Sequence, residues 1–334
     1  MVGRRDGVAE RLVVAAGLPL ETLDVSGVHA GTPGGMARAA SQLTRATLEA
    51  RRLLRRMRPD VVVGSGGYVS VPVVVAALAQ QIPVVLLEQN AVPGRATRLL
   101  ARRARAVASS FAETARYLPH ARVVHTGNPI RAEVRAVTPG PIGDRLRSIL
   151  VTGGSQGARR INRAVTGSMV KLLSDDPELR IVHQCGSLDR AVVAAAAAAL
   201  PPALAARYTV GDFFDDMAAR MAASDLVIMR AGGSSIAECS ALGRPMIVVP
   251  YPHAGGHQRH NATPYVEAGA AMVIDDAECS PARLGAEINA LIADPPRWRR
   301  MAAASAALGL PDATDSVVRL IVEAAGSGRR STAA

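Results

Sequence analysis

Three turns in this chain combine glycines with small hydroxyl residues where an apolar run ends and a helical pattern begins. Gly64-Ser65-Gly66-Gly67-Tyr68-Val69-Ser70 follows Val61-Val62-Val63, and Thr152-Gly153-Gly154-Ser155-Gln156-Gly157-Ala158 follows Ser148-Ile149-Leu150-Val151. Arg230-Ala231-Gly232-Gly233-Ser234-Ser235-Ile236-Ala237-Glu238 follows Leu226-Val227-Ile228-Met229. Glycine has no Cβ, so backbone N–H groups can approach an anion, and the helix N-terminus behind adds partial positive charge. A phosphate fits such a turn; a tight strand-to-helix connection with no ligand is the alternative. The first two turns, at equivalent places in two halves, suggest phosphate-bearing ligands on either side of a cleft.

Two further sets of residues could do chemistry beside these turns. Glu238 falls about one turn into the helix opened by 232–235, where a carboxylate can accept both hydroxyls of a ribose. Ser235 and Glu238 also have the spacing of a capping box, and the two roles can coexist. His253, His257 and His260 lie in the polar cluster His253-Ala254-Gly255-Gly256-His257-Gln258-Arg259-His260-Asn261. No cysteine or glutamate joins them in a zinc pattern, so the expectation is no metal. A loop offering imidazole and amide groups to sugar hydroxyls fits better.

The elements that must position these turns are short apolar runs alternating with helical stretches. Strands are expected at 60–63, 82–87, 105–108, 121–124, 148–151, 181–184, 226–229 and 245–249. Helices are expected at 36–57, 72–80, 158–173, 235–241 and 281–293. Continuous β-branched runs suggest strands buried on both faces of parallel sheets, and hence an α/β architecture. Thr138-Pro139-Gly140-Pro141-Ile142-Gly143 reads as a turn-rich linker between an N-terminal domain, 1–137, and a C-terminal domain, 138–311. Ala191–Ala206 reads as a helix broken at Pro201-Pro202. The first half opens on a helix-like stretch, 8–16, where a doubly wound domain usually opens on a strand and a phosphate-facing turn.

Charge narrows the partners. The net charge is +11; residues 1–150 carry 21 Arg against 10 Asp and Glu, while 151–334 are balanced at 18 and 18. All the excess thus lies in the first part, which points to a charged partner for one domain only. With 3 Phe, 5 Tyr and 1 Trp, stacking residues are few, and no nucleic-acid motif accompanies the arginines. Nucleic acid is therefore not expected. Cys185, Cys239 and Cys279 form no Cys-x-x-Cys pair and read as core residues of a reducing compartment. No run of eighteen apolar residues is present, so any membrane contact is expected to be peripheral.

Taken in order, several segments together resemble the MurG family of glycosyltransferases: Gly64–Ser70, Glu88-Gln89-Asn90, Gly127-Asn128-Pro129-Ile130-Arg131, Gly153–Ala158, Asp215-Asp216-Met217, Gly233–Glu238, Gln258-Arg259-His260-Asn261 and Pro311-Asp312-Ala313-Thr314. The resemblance runs from about residue 8 to 323. It implies a GT-B fold, two Rossmann-like domains facing across a cleft, with 312–325 joining the N-terminal domain. It implies an inverting transfer of GlcNAc from UDP-GlcNAc to an undecaprenyl-diphosphate-linked muramyl-pentapeptide in peptidoglycan synthesis, without a cofactor, at the cytoplasmic face of the membrane.

By motif, Ser155 would serve the nucleotide side and the Phe214 backbone would grip uracil. Glu238 would hold ribose, Gly233, Ser234, Ser235, Ile236 and Ala237 would face the diphosphate and sugar, and Gln258 with His257 would bond GlcNAc. The family often carries Gln at the place of His257. Asn90 and Arg131 would reach the donor from the N-terminal side, and Gly64, Ser65, Gly66, Gly67 and Tyr68 would take the acceptor diphosphate. Glu88 would orient or deprotonate the acceptor hydroxyl, since an attacking alcohol must lose a proton; its alternative is an ion pair with a nearby Arg. The arginines at 51–58 and 95–105 would form a surface for anionic lipid, or else a solvated helix face. The family begins with a strand and a Gly-Gly-Thr-Gly-Gly-His loop that this sequence does not match, so the expectation is a start assigned too far downstream or a truncated frame. Two other functions remain in view: a related enzyme acting on a soluble acceptor, and a non-catalytic UDP-sugar binder.

Overall fold

The computed structural model describes residues 1–4, 8–23, 33–154, 156–252 and 256–331. The chain divides into two compact units, Met1–Gly127 with Thr314–Ala334, and Asn128–Ala313. The division thus falls before the Pro/Gly-rich stretch at 138–143. The short helix at Ala132–Ala136 packs on the helix at Met217–Ala223, which ties 128–137 to the second unit.

The first unit carries strands β1 (Val2–Arg4), β2 (Glu21–Leu23), β3 (Val62–Gly64), β4 (Val84–Glu88), β5 (Ala106–Ser109) and β6 (Val123–His125). Its main helices are α1 (Val8–Ala15), α2 (Pro33–Met57), α3 (Gly67–Ala79) and α4 (Arg95–Leu100). β3-β4-β5-β6 form a parallel sheet in sequence order, and β1-β2 form a separate parallel pair. One layer of core lies between this sheet and α2 and α3, around Ala50, Leu54, Val74, Ala77 and Leu86. The C-terminal helix supplies the other, with Val317, Leu320 and Ala324 packed on Val85, Ala106 and Ala108. Burial on both faces explains why these strands read as unbroken apolar runs.

α3 begins at Gly67, ahead of the Pro72 start expected from sequence, and Pro72 lies inside it. Gly66 and Gly67 have φ of 86° and 72°, a left-handed region open to glycine at little cost, and this lets the helix start sooner. Pro72 removes only the one N–H that would reach the Tyr68 carbonyl.

The second unit carries helices α5 (Ala132–Ala136), α6 (Arg159–Asp175), α7 (Arg190–Ala198), α8 (Pro202–Ala205), α9 (Met217–Ala223), α10 (Gly233–Ala241), α11 (His257–Glu267), α12 (Pro281–Ala293) and α13 (Pro295–Leu308). Its strands are β7 (Ser148–Thr152), β8 (Arg180–Gln184), β9 (Tyr208–Gly211), β10 (Leu226–Met229), β11 (Met246–Val248) and β12 (Ala271–Val273), and the last helix of the chain is α14 (Ala313–Ser331). The six strands are all parallel, in the order β12-β11-β10-β7-β8-β9. Counted within the unit this is the doubly wound 3-2-1-4-5-6 order, and its reversal lies between β7 and β10. Trp298, Ile149, Leu173, Ile181 and Leu226 are among the fully buried residues of its core. The three cysteines are buried and unpaired.

Candidate active site

In a doubly wound sheet the crevice for a ligand opens beyond the carboxyl ends of the strands flanking the order reversal, because the connections there leave in opposite directions. The turn after β7 and the turn after β10 are the two glycine-rich segments 153–157 and 230–235. Between them lies a pocket of about 850 Å³, whose walls include Gly153, Gly157, Arg160, Gly232, Ser235 and Gln258.

Glycine is required by contact in the first turn. A Cβ on Gly157, which has φ of 79°, would stand 2.0 Å from the Cys185 carbonyl oxygen, and one on Gly153 would stand 2.2 Å from the Ala158 nitrogen. Ser155 lies outside the described residues.

The second turn ends in α10, which begins at Gly233 with Gly232 as its N-cap, in extended backbone with no side-chain cap bond. This corrects the expectation of Ser235 as cap: the chain is already helical there, and Glu238 does not close a capping box. Its carboxylate instead takes both arms of Arg131, Nε to Oε1 at 2.7 Å and Nη2 to Oε2 at 2.8 Å. Glu238 is buried while Arg131 remains half exposed. The hydrogen bond from Arg131 to Glu238 outweighs desolvation and holds the guanidinium above its ordinary pKa. Beside this pair, Asn128 Nδ2 donates to Ser234 Oγ at 3.2 Å. Ile236 is fully buried, so only its backbone can face a ligand, and Ala237 is half-buried.

α11 contributes Gln258, whose orientation is set. Its Oε1 accepts from the N–H groups of Ala231 at 3.1 Å and Tyr251 at 2.9 Å, which leaves Nε2 as a donor. His257, the first residue of this helix, has a buried Nδ1 with no partner among the described residues. No group of three His, Cys, Asp or Glu side chains that could hold a metal ion is found among the described residues.

The Phe214 N–H, one of the two backbone groups expected to grip uracil, donates to Gln184 Oε1 at 2.9 Å and so is engaged within the fold. Arg220 stacks 4.0 Å over its ring.

Several pocket residues were not singled out from sequence. Arg230 pairs with Asp276 at 2.6 Å and donates to the Val249 carbonyl, and Arg160 approaches the other oxygen of Asp276 at 3.8 Å. Arg159, Arg163 and Asp189 also line the pocket. Four arginines against two aspartates leave it cationic. Their partners lie far apart in the chain, so no local motif marks them.

The first unit holds the remaining expected residues. Gly64–Tyr68 form the turn from β3 into α3, with Ser65, Gly67 and Tyr68 exposed and the Gly66 and Gly67 backbones left-handed. A Cβ on Gly64 would stand 2.9 Å from Val74, so this glycine serves helix–strand packing. Glu88, at the end of β4, is 4% exposed. Its Oε1 accepts from Asn90 N at 3.1 Å and Nδ2 at 3.3 Å, and its Oε2 from Gly94 N at 3.0 Å. Those bonds, and not an arginine ion pair, hold it among the described residues. They fill three of about four lone-pair sites on the carboxylate and brace the 89–94 loop together with Asn90.

Parallel sheets in both units, with a cationic pocket at the order reversal of the second, are the arrangement found in the GT-B class of glycosyltransferases, and similarity to known proteins assigns the chain to it. Residues 1–109 match the glycosyltransferase family 28 N-terminal domain and 148–317 the glycosyltransferase family 28 C-terminal domain. The UDP-N-acetylglucosamine–N-acetylmuramyl-(pentapeptide) pyrophosphoryl-undecaprenol N-acetylglucosamine transferase of Rhodospirillum centenum is 43% identical over 332 residues, covering 95% of this chain and 86% of that protein. The protein of the same name from Anaeromyxobacter dehalogenans is 38% identical over 327 residues, covering 96% and 84%. The crystal structure of Acinetobacter baumannii MurG is similar at a TM-score of 0.76 and 29% identity, covering 96% of this chain and 90% of that one. The chain belongs to glycosyltransferase family 28 and, within it, to the MurG transferases.

Proposed function

We infer that this chain transfers GlcNAc from UDP-GlcNAc to an undecaprenyl-diphosphate-linked muramyl-pentapeptide. The observation that carries the reading is the cationic pocket at the β7/β10 reversal, together with family membership. A nucleoside diphosphate sugar suits it. Arginines and the N-terminus of α10 oppose the charge that grows on the departing diphosphate. Gln258 Nε2 and His257 address the sugar, Glu238 with Arg131 the ribose, Phe214 the base, and Gly233–Ala237 the diphosphate. A single displacement at the anomeric carbon by the acceptor hydroxyl inverts its configuration. Glu88 ends β4 of the first unit and Asn90 stands on the loop that follows, and Glu88 is the candidate to orient that hydroxyl or take its proton.

The turn Gly64–Tyr68 at the head of α3 offers backbone N–H groups to the acceptor diphosphate. On the same unit Leu99 is 70% exposed amid Arg95, Arg98, Arg102 and Arg103, all exposed. An apolar residue ringed by cations suits an anionic bilayer surface, which favours a lipid-borne acceptor over a soluble one. No helix among the described residues is long and apolar enough to cross a membrane.

The test is radiolabelled UDP-GlcNAc with the lipid-linked muramyl-pentapeptide presented in vesicles. Transfer of label to the lipid is expected. Transfer only to soluble glycosides would replace this acceptor, and donor binding with no transfer to either would mark a UDP-sugar binder.

A further inference from the structure

The strands β10, β11 and β12 are parallel neighbours, so their carboxyl ends open on one side of the sheet. One side chain ties the segments beyond all three ends together. Arg230 directly follows β10, and its Nη1 donates to the Val249 carbonyl at 3.0 Å and the Pro250 carbonyl at 3.4 Å, both just past β11. The same nitrogen donates at 2.6 Å to Oδ1 of Asp276, which opens the short turn after β12. The guanidinium also lies 5.4 Å from the centre of the Tyr251 ring. Arg230 and Asp276 both line the donor pocket, with side chains only 15% and 18% exposed, so salt screens this pair little.

The consequence is an orientation. The segment that Arg230 holds leads directly to Tyr251, whose N–H donates to Gln258 Oε1. Ala231, next to Arg230 in the chain, supplies the second N–H on that oxygen. Two donors on one oxygen fix the way the amide faces, because the flipped amide would set its own N–H groups against them. Asp276 bonds neither Gln258 nor Tyr251 in any contact described above. It holds Arg230, and Arg160 of α6 approaches its other oxygen at 3.8 Å. Without this carboxylate, two arginines lining the pocket lose their acid, and the Arg230 guanidinium is free to leave the two carbonyls for a phosphate.

We propose that Asp276 is a positioning residue for the donor sugar. By holding Arg230 on the Val249 and Pro250 carbonyls, it keeps the Gln258 amide nitrogen turned toward GlcNAc and keeps Arg230 off the diphosphate. This inference rests on UDP-GlcNAc being the donor.

The test compares UDP with UDP-GlcNAc on the full chain by calorimetry, since UDP carries the diphosphate and lacks the sugar. Asp276→Ala should bind UDP-GlcNAc about tenfold more weakly relative to UDP than the wild type does, as loss of an oriented hydrogen bond would. Its affinity for UDP itself should be equal or higher, an outcome that general damage to the fold would not produce. Asp276→Asn still accepts from Arg230 but carries no charge, and should fall between the two. In a double-mutant cycle, Gln258→Glu has already removed the amide donor, so adding Asp276→Ala should cause no further relative loss. Where Asp276→Ala does not fold, Asp276→Asn takes its place in the cycle. Equal losses for UDP and UDP-GlcNAc, no relative loss, or additive losses in the cycle overturn the role of Asp276 and leave the donor assignment standing. Failure of the wild type to bind UDP-GlcNAc overturns both.

Discussion

Gln258 separates two tasks on one amide. Its oxygen holds the Ala231 and Tyr251 N–H groups, and its nitrogen is left for a ligand. Gln258→Glu keeps the acceptor and removes the donor. It should retain the melting temperature of the wild type and lower kcat/KM for UDP-GlcNAc about 100-fold, whereas Gln258→Ala should lose both. A Glu variant within twofold of wild type would remove the amide from the reaction. Glu238 is a similar case, since Arg131 occupies one acceptor site on each oxygen and leaves others for ribose hydroxyls. Glu238→Gln should raise KM for UDP-GlcNAc about tenfold while changing KM for the 2′-deoxyribose donor much less. Equal losses on both donors would refute ribose recognition.

At the scale of elements, the β7 turn is clamped against the end of β8. Gly157→Ala places a methyl on the Cys185 carbonyl in a left-handed conformation, so the turn must move. We expect a loss of about 2–4 kcal/mol in urea unfolding, together with much weaker donor binding by calorimetry. An Ala variant with both intact would mean that the turn relaxes freely. β8 is tied in turn to β9 and α6 by His183, fully buried, which bonds Tyr208 Oη at 2.6 Å and Asn162 Oδ1 at 3.0 Å. Burial pushes its pKa down to about 4 from 6.5. The folded state therefore binds this proton less readily than the unfolded one. The stability due to the neutral ring is full above pH 6.5 and falls as pH drops through 6.5 toward 4, by up to about 3 kcal/mol. Urea midpoints at pH 7, 5.5 and 4 should show this fall, and His183→Gln should flatten it. An unchanged slope in the variant would assign the pH dependence to other groups.

On the scale of the whole molecule, charge is segregated. The excess of +11 lies within residues 1–150, most of which form the first unit. Each basic side chain at an anionic bilayer contributes about 1 kcal/mol, and salt screens it. Sedimentation with phosphatidylglycerol vesicles should therefore succeed at low salt and fail near 1 M NaCl. Arg98→Gln, Arg102→Gln and Arg103→Gln together should reduce vesicle binding more than tenfold without changing donor affinity. Salt-resistant binding, or none at low salt, would contradict a charged membrane face on this unit.

The α/β class, most of the strands and the three glycine turns were legible in the sequence, because period, β-branching and turn chemistry are local. The resemblance rested on the same turns. Less local matters needed the fold. β9, Tyr208-Thr209-Val210-Gly211, lacks a continuous apolar run and exists through its neighbour β8 in the sheet. The start of α10 was set by the Gly232 backbone and not by Ser235, and Glu238 found Arg131 across 107 positions. Arg230 with Asp276, Gln184 with Phe214, and Arg244 with the Gly140 carbonyl have no local signature. Sequence by itself determined which segments are apolar, where the backbone can turn and how charge divides along the chain. Tertiary structure alone decided which side chains meet, because hydrogen bonds and ion pairs depend on distances that the order of strands, not the spacing of residues, sets.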